Sequence, residues 1–229
     1  MPSWESPSAE VLEKAASEKR PLLIFFPGEG DQYGDAYLTG EDVKKLSEES
    51  AVFIRVAYTS DLEQAPWATD SAVPTSKLLS DNPTRDYGVR SYPTFIVADS
   101  YGNEVLSIKK KPSAAELTNS FAKVESKMEK EVKSLAKNLK SAQEAMKTDD
   151  RSKALKAILK NFKDGIVGYE EQEETIRLYH EILDAARGEV SELADAGGSD
   201  SVAALKKLKK EFKGTDLVTE IDEAIKKLS

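Results

Sequence analysis

Every run in this chain that reads as a β-strand ends before residue 110, and from Ser113 onward the apolar residues are spaced as in helices. "PLLIFF" (Pro21–Phe26) is an unbroken apolar run closed by Pro27-Gly28. It is too short for a typical helix and has no polar side, so it predicts a strand buried on both faces. "AVFIRVAY" (Ala51–Tyr58) and "PTFIVAD" (Pro93–Asp99) predict a second and a third strand. "SYGN" (Ser100–Asn103) predicts a turn that brings "EVLSIK" (Glu104–Lys109) back against the third. Ser6-Pro7 predicts a helix start, with Val11, Leu12, Ala15 and Ala16 on its inner face. Thr39, with Asp42 three residues on, predicts another as a variant capping box.

The second half is helical throughout. Ser113 and Glu116 form a capping box. Phe121, Val124, Met128, Val132, Leu135, Leu139, Ala142 and Met146 then follow at spacings of three or four, predicting one amphipathic helix to about Lys147. Its seam would pack on the chain's own C-terminal helices or pair in a dimeric coiled coil. The remainder repeats itself: "ALKAILKNFKDG" begins at Ala154 and "ALKKLKKEFKGT" at Ala204. Each is followed by a turn and a second helix, roughly Glu170–Arg187 and Asp216–Leu228, with Gly197-Gly198 between the pairs. Two such hairpins are fewer than the roughly three a free-standing solenoid needs. They should dock on the long helix or on another molecule. The expected organisation is an α/β domain over 1–125, a continuing linker helix over 126–147 and an all-helical domain over 148–229.

Composition narrows the chemistry. The net charge of −8 disfavours nucleic acid and anionic membrane as partners. The lysine tracts 109–111 and 206–210 read as solvated faces. The absence of cysteine removes disulfides, thiolate metal sites and thiol nucleophiles. No stretch approaches the ~20 apolar residues of a membrane span, so no membrane insertion is expected. The N-terminal residues show no basic region followed by an apolar one, so a cytoplasmic location is expected. A periplasmic or secreted location is the alternative if a signal peptide has been removed.

The element order to residue 125 resembles the thioredoxin fold. "W…AEVLEKAASEKRPLLIFF" resembles the opening of the thioredoxin-like domains related to the C-terminal domain of bacterial membrane disulfide reductases. "YGVRSYPTFIVADSYGNEV" (Tyr87–Val105) is similar to that family's cis-proline segment and hairpin, with Pro93 at the cis-proline. Aligning Phe26 with the phenylalanine that ends the family's first core strand puts its Cys-x-x-Cys at Asp31-Gln32-Tyr33-Gly34. Disulfide exchange needs a thiolate attacking sulfur, and neither Asp31 nor Gly34 supplies one. The resemblance therefore implies the fold without the family's redox activity. An aspartate at that helix N-terminus would cap orphan N–H groups; the other reading of Asp31 is an acid contact for a ligand.

Other candidates are weaker. Glu29, Asp31 and Asp35 crowd one loop but lack calcium-loop spacing, so no metal is expected. His180, the one histidine, sits mid-helix without a visible partner. Neither a Gly-rich phosphate loop nor zinc spacing is present, and no cofactor is expected. The long connection Thr59–Asp86 carries Pro66, Trp67, Pro74 and Pro83, and long loops in compact domains are often functional. Trp67, Tyr92 and Tyr33 form the candidate binding surface beside the cis-proline; the other reading has Trp67 folding back over the sheet edge.

The expected function is a redox-inactive, non-enzymatic module that binds a protein or peptide, as an adaptor or chaperone-like protein. A redox-silent thioredoxin domain before a helical one also resembles certain secretory-pathway chaperones in outline. The alternative is a structural subunit whose helices drive homo-oligomerisation. A glutathione-transferase-like enzyme, with Tyr33 activating a thiol, fits less well. The Glu-Ser pair such enzymes use after the hairpin is missing from "SIKKKPSAAE".

Overall fold

Strand β1, Leu22–Phe26, is buried at all five residues. It lies between β2 (Val52–Arg55), parallel to it, and β3 (Thr94–Ala98), antiparallel. Strand β4 (Glu104–Ile108) pairs antiparallel with β3, completing the sheet order β2-β1-β3-β4. A central strand covered on both faces has no solvent side, which explains the unbroken apolar run. The computed structural model describes residues 2–30, 38–60 and 72–228.

Helix α1 (Ala9–Glu18) precedes β1, and α2 (Glu41–Glu49) lies in the β1–β2 crossover that parallel pairing requires. The short α3 (Pro83–Asp86) precedes β3, and α4 (Ala114–Met146) follows β4. This connectivity and sheet order make a thioredoxin fold, followed by an all-helical part.

Two helix starts differ from expectation. The cap of α1 is Ser8, whose hydroxyl accepts from the Val11 amide at 3.2 Å. Ser6 cannot serve, because Glu5 is held extended against β2: its amide donates to the Phe53 carbonyl, and its carbonyl accepts from the Arg55 amide, both at 2.9 Å. Helix α2 is capped by Gly40 without a side-chain bond, which leaves Thr39 one residue too early; Glu41 and Asp42 instead place negative charge in the first turn. The Ser113–Glu116 box forms in both directions, at 3.2 Å from the Glu116 amide and 2.9 Å from the Ser113 amide. Strand β2 is shorter than its apolar run. After Val56 donates to the Phe25 carbonyl at 2.9 Å, β1 offers no further partner, and Tyr58 falls in a loop.

Buried Asp99 organises the β3–β4 turn. Its carboxylate accepts from the Tyr101 amide (3.0 Å), the Asn103 amide (2.8 Å) and Asn103 Nδ2 (2.8 Å). Gly102 takes the left-handed conformation this turn requires (φ 87°), and its carbonyl accepts from the Tyr87 hydroxyl at 2.6 Å. Burial pushes the Tyr87 phenol upward, with Asp99 and Glu104 adding to the shift.

The chain divides into two compact units: Met1–Ala68 with Thr75–Glu131, and Thr69–Pro74 with Val132–Ser229. The second contains the end of α4 and helices α5 (Arg151–Lys163), α6 (Glu170–Ala196), α7 (Gly198–Glu211) and α8 (Leu217–Leu228). The repeated positions are core positions: Leu155 and Leu205, Ile158 and Leu208, Phe162 and Phe212 are all buried. Helix α6 runs past Arg187 because Val190 and Leu193 continue its apolar face to Gly197. The seam of α4 is buried here through Leu135, Leu139 and Ala142. Among the described residues, no helix is long and apolar enough to cross a membrane.

Candidate functional site

Because β1 and β2 are parallel and β3 runs against them, the ends of the first two strands and the start of the third meet at one end of the sheet. Pro27-Gly28, Val56–Thr59 and Tyr92-Pro93 gather there. Phe26 pairs with Thr94 in the last register position, and the Tyr92–Pro93 peptide bond is cis. Thr94 Oγ1 donates to the Ser91 carbonyl at 2.6 Å, fixing the approach to that bond.

Tyr92 is the pivot of this end of the sheet. Its hydroxyl donates to the Thr59 carbonyl at 3.0 Å, and its ring meets Tyr58 edge-to-face, centroids 5.3 Å apart at 65°. Gly28 lies against Tyr92: a Cβ there would stand 3.5 Å from Tyr92 Cβ, an ordinary contact. Partial burial pushes the Tyr92 phenol upward, with Tyr58 adding to the shift. Tyr58 is 38% exposed. A cleft of about 630 Å³ adjoins it, lined by Trp4, Glu5, Pro27, Gly28, Arg55 and Tyr58 among others. Trp4, one of the lining residues, packs against Phe25 (5.6 Å) and Phe53 (5.2 Å), with its indole N–H buried and lacking an acceptor among the described residues.

Tyr92 and Pro93 therefore lie together, with Tyr58 beside them. Asp31, Gln32, Tyr33, Gly34 and Trp67 lie outside the described residues, as does Asp35. Glu29 is exposed. His180 is exposed on α6, its ring 5.7 Å from that of Tyr179. No group of three His, Cys, Asp or Glu side chains is placed to hold a metal among the described residues. Sequence reasoning missed Tyr58 and Trp4. Tyr58 reads as the last residue of a strand, and only the early end of β2 turns it into a loop side chain.

Comparison with known proteins adds little. No family model and no curated protein matches the chain. A solved structure described as "DsbH Oxidoreductase" is similar at 15% identity and a TM-score of 0.37, over 53% of this chain and 85% of its own. The fold assignment rests on the sheet order and connectivity.

What this end of the sheet offers chemically is aromatic surface and phenolic hydroxyls. These 229 residues hold no thiol, so they supply neither the attacking thiolate nor the disulfide that exchange chemistry needs.

Proposed function

We propose that the chain is a redox-inactive thioredoxin-like module that binds a protein or peptide, as an adaptor or chaperone-like protein, and catalyses no reaction. The observation that carries this reading is the Tyr58–Tyr92 pair, an exposed ring locked edge-to-face on a hydrogen-bonded one beside the cis-proline. Aromatic rings anchor protein interfaces, and rings already held in place lose less freedom on binding. Trp67 and Tyr33 remain candidate members of the same surface. The proposed compartment is the cytoplasm; a cysteine-free chain is compatible with reducing and oxidising surroundings alike.

The test is capture of partners from a lysate of the source organism by the wild type and by Tyr58→Ala/Tyr92→Ala, both checked for folding by circular dichroism. A defined partner set held by the wild type and lost by the folded variant is the expected result. The same partners on both baits would reject this face as the contact. Capture of nothing but the chain itself would replace the module by an oligomeric subunit, and saturable glutathione binding would favour the transferase-like enzyme.

A further inference from the structure

The two edges of the sheet are treated differently. At β2, Glu5 bridges to Ile54, and the N-terminal segment occupies the edge with two backbone hydrogen bonds. At β4, only the start of the strand is covered: Lys127 Nζ donates to the carbonyls of Glu104 (3.3 Å) and Val105 (2.9 Å). Among the described residues, Leu106, Ser107 and Ile108 make no backbone hydrogen bond outside their pairing with β3.

A groove of about 790 Å³ runs along this open part, lined by consecutive residues 106–110 of the chain and by Glu116, Asn119, Ser120 and Lys123 of α4. Successive strand side chains point to opposite faces of a sheet. Consecutive residues line one groove only where it follows the strand's backbone edge, so the opening exposes main-chain donors and acceptors. Leu106 and Ile108 are half-buried and add apolar surface.

The rim is basic in a chain of net charge −8. Lys109, Lys111 and Lys123 have no ion-pair partner among the described residues, whereas Lys110 is paired with Glu116 at 2.7 Å. Lysines flanking an open edge strand repel a second identical edge, so two copies of this chain are poorly suited to pair here. The same charge attracts an acidic strand.

We infer that the β4 edge is a second binding surface, taking an extended, acidic segment of a partner protein as a fifth strand. Main-chain hydrogen bonds to Leu106–Ile108 would give affinity, and the lysine rim would select carboxylates. This surface is separate from the Tyr58–Tyr92 face and does not depend on that reading.

The probe is a fluorescein-labelled ten-residue peptide of alternating glutamate and valine, followed by fluorescence anisotropy with the full chain at low salt. Saturable binding is expected, and Lys109→Glu/Lys123→Glu, confirmed folded by its melting curve, should weaken it by about tenfold or more. N-methylating one alternate set of peptide amides should abolish binding, while methylating the other set, which faces away, should leave it within about threefold. Tyr58→Ala/Tyr92→Ala should bind the peptide as the wild type does. The proposal is overturned if the peptide does not bind, if both methylated sets bind alike, or if the lysine–valine counterpart binds equally. Full competition by a single-stranded oligodeoxynucleotide would mean the groove reads charge alone, and strand addition would fall.

Discussion

The Tyr92 hydroxyl reaches across to the Thr59 carbonyl at 3.0 Å, tying the loop of the cis-proline to the segment that leaves β2. Two parts of the chain 33 residues apart are joined at the candidate binding face by one phenol. Tyr92→Phe removes this bond and keeps the ring against Tyr58. It should cost about 0.5–1.5 kcal/mol in urea unfolding while leaving partner capture largely intact. Tyr92→Ala should lose both. If Tyr92→Phe abolishes capture as fully as Ala, the hydroxyl rather than the ring makes the contact.

Asp99 sets the β3–β4 turn through three accepted hydrogen bonds, and it is only 3% exposed. Removing its carboxylate takes away the acceptor of these three bonds. Asp99→Ala should destabilise the first unit by about 2–3 kcal/mol, and Asp99→Asn by less, because an amide oxygen still accepts from the backbone. Trp4, packed between Phe25 and Phe53, reports this unit by fluorescence in a Trp67→Phe background. Equal losses for Ala and Asn would show that the charge, not the acceptor geometry, holds the turn.

The sheet was legible in the sequence because its signals are local and dense. "PLLIFF" and "PTFIVAD" are short apolar runs with proline at their starts and turn residues after them, which favours buried strands, and β1 and β3 appear within them. The repeat at Ala154 and Ala204 exposed the helical core because its Leu and Phe positions are the ones that pack. Helix starts were less legible. Ser6 and Ser8 carry the same hydroxyl, and the choice between them is made by the backbone bridge of Glu5 to Phe53 and Arg55, far along the chain. Tyr58 was hidden for a similar reason, since the length of β1 decides where β2 ends. The basic tract at 109–111 reads as a solvated face in the sequence because nothing local reveals that it borders an open sheet edge.

Glu116 gives the fold a pH dependence with a definite sign. A hydrogen bond from Lys110, then those from the Ser113 amide and hydroxyl, hold its carboxyl at about 2, below its ordinary 4.5. A depressed carboxyl contributes stability that is present above its unfolded pKa and is lost as pH falls through the folded one. The difference in Tm between wild type and Glu116→Gln should therefore be constant from neutral pH down to about 4.5 and close as pH approaches 2. A difference unchanged down to pH 2 would mean that the cap geometry, not the charge, stabilises the start of α4.

In the second unit, buried Asn161 ties three helices together. Its Nδ2 donates to the Leu135 carbonyl of α4 (3.0 Å) and to Thr175 Oγ1 of α6 (2.9 Å), and its Oδ1 accepts from Asn138 of α4 (2.9 Å). Gln172 Nε2 donates to the Asn161 carbonyl at 3.1 Å. Asn161→Ala opens this network from its centre and should cost about 2–4 kcal/mol in urea unfolding followed by helix circular dichroism. Asn138 is only half-buried, so Asn138→Ala should cost about 0.5–1.5 kcal/mol, and the double variant should lose less than the sum. An Asn161→Ala loss no larger than that of Asn138→Ala would mean the stranded groups find other partners, and the network would then not fix the register of α4, α5 and α6.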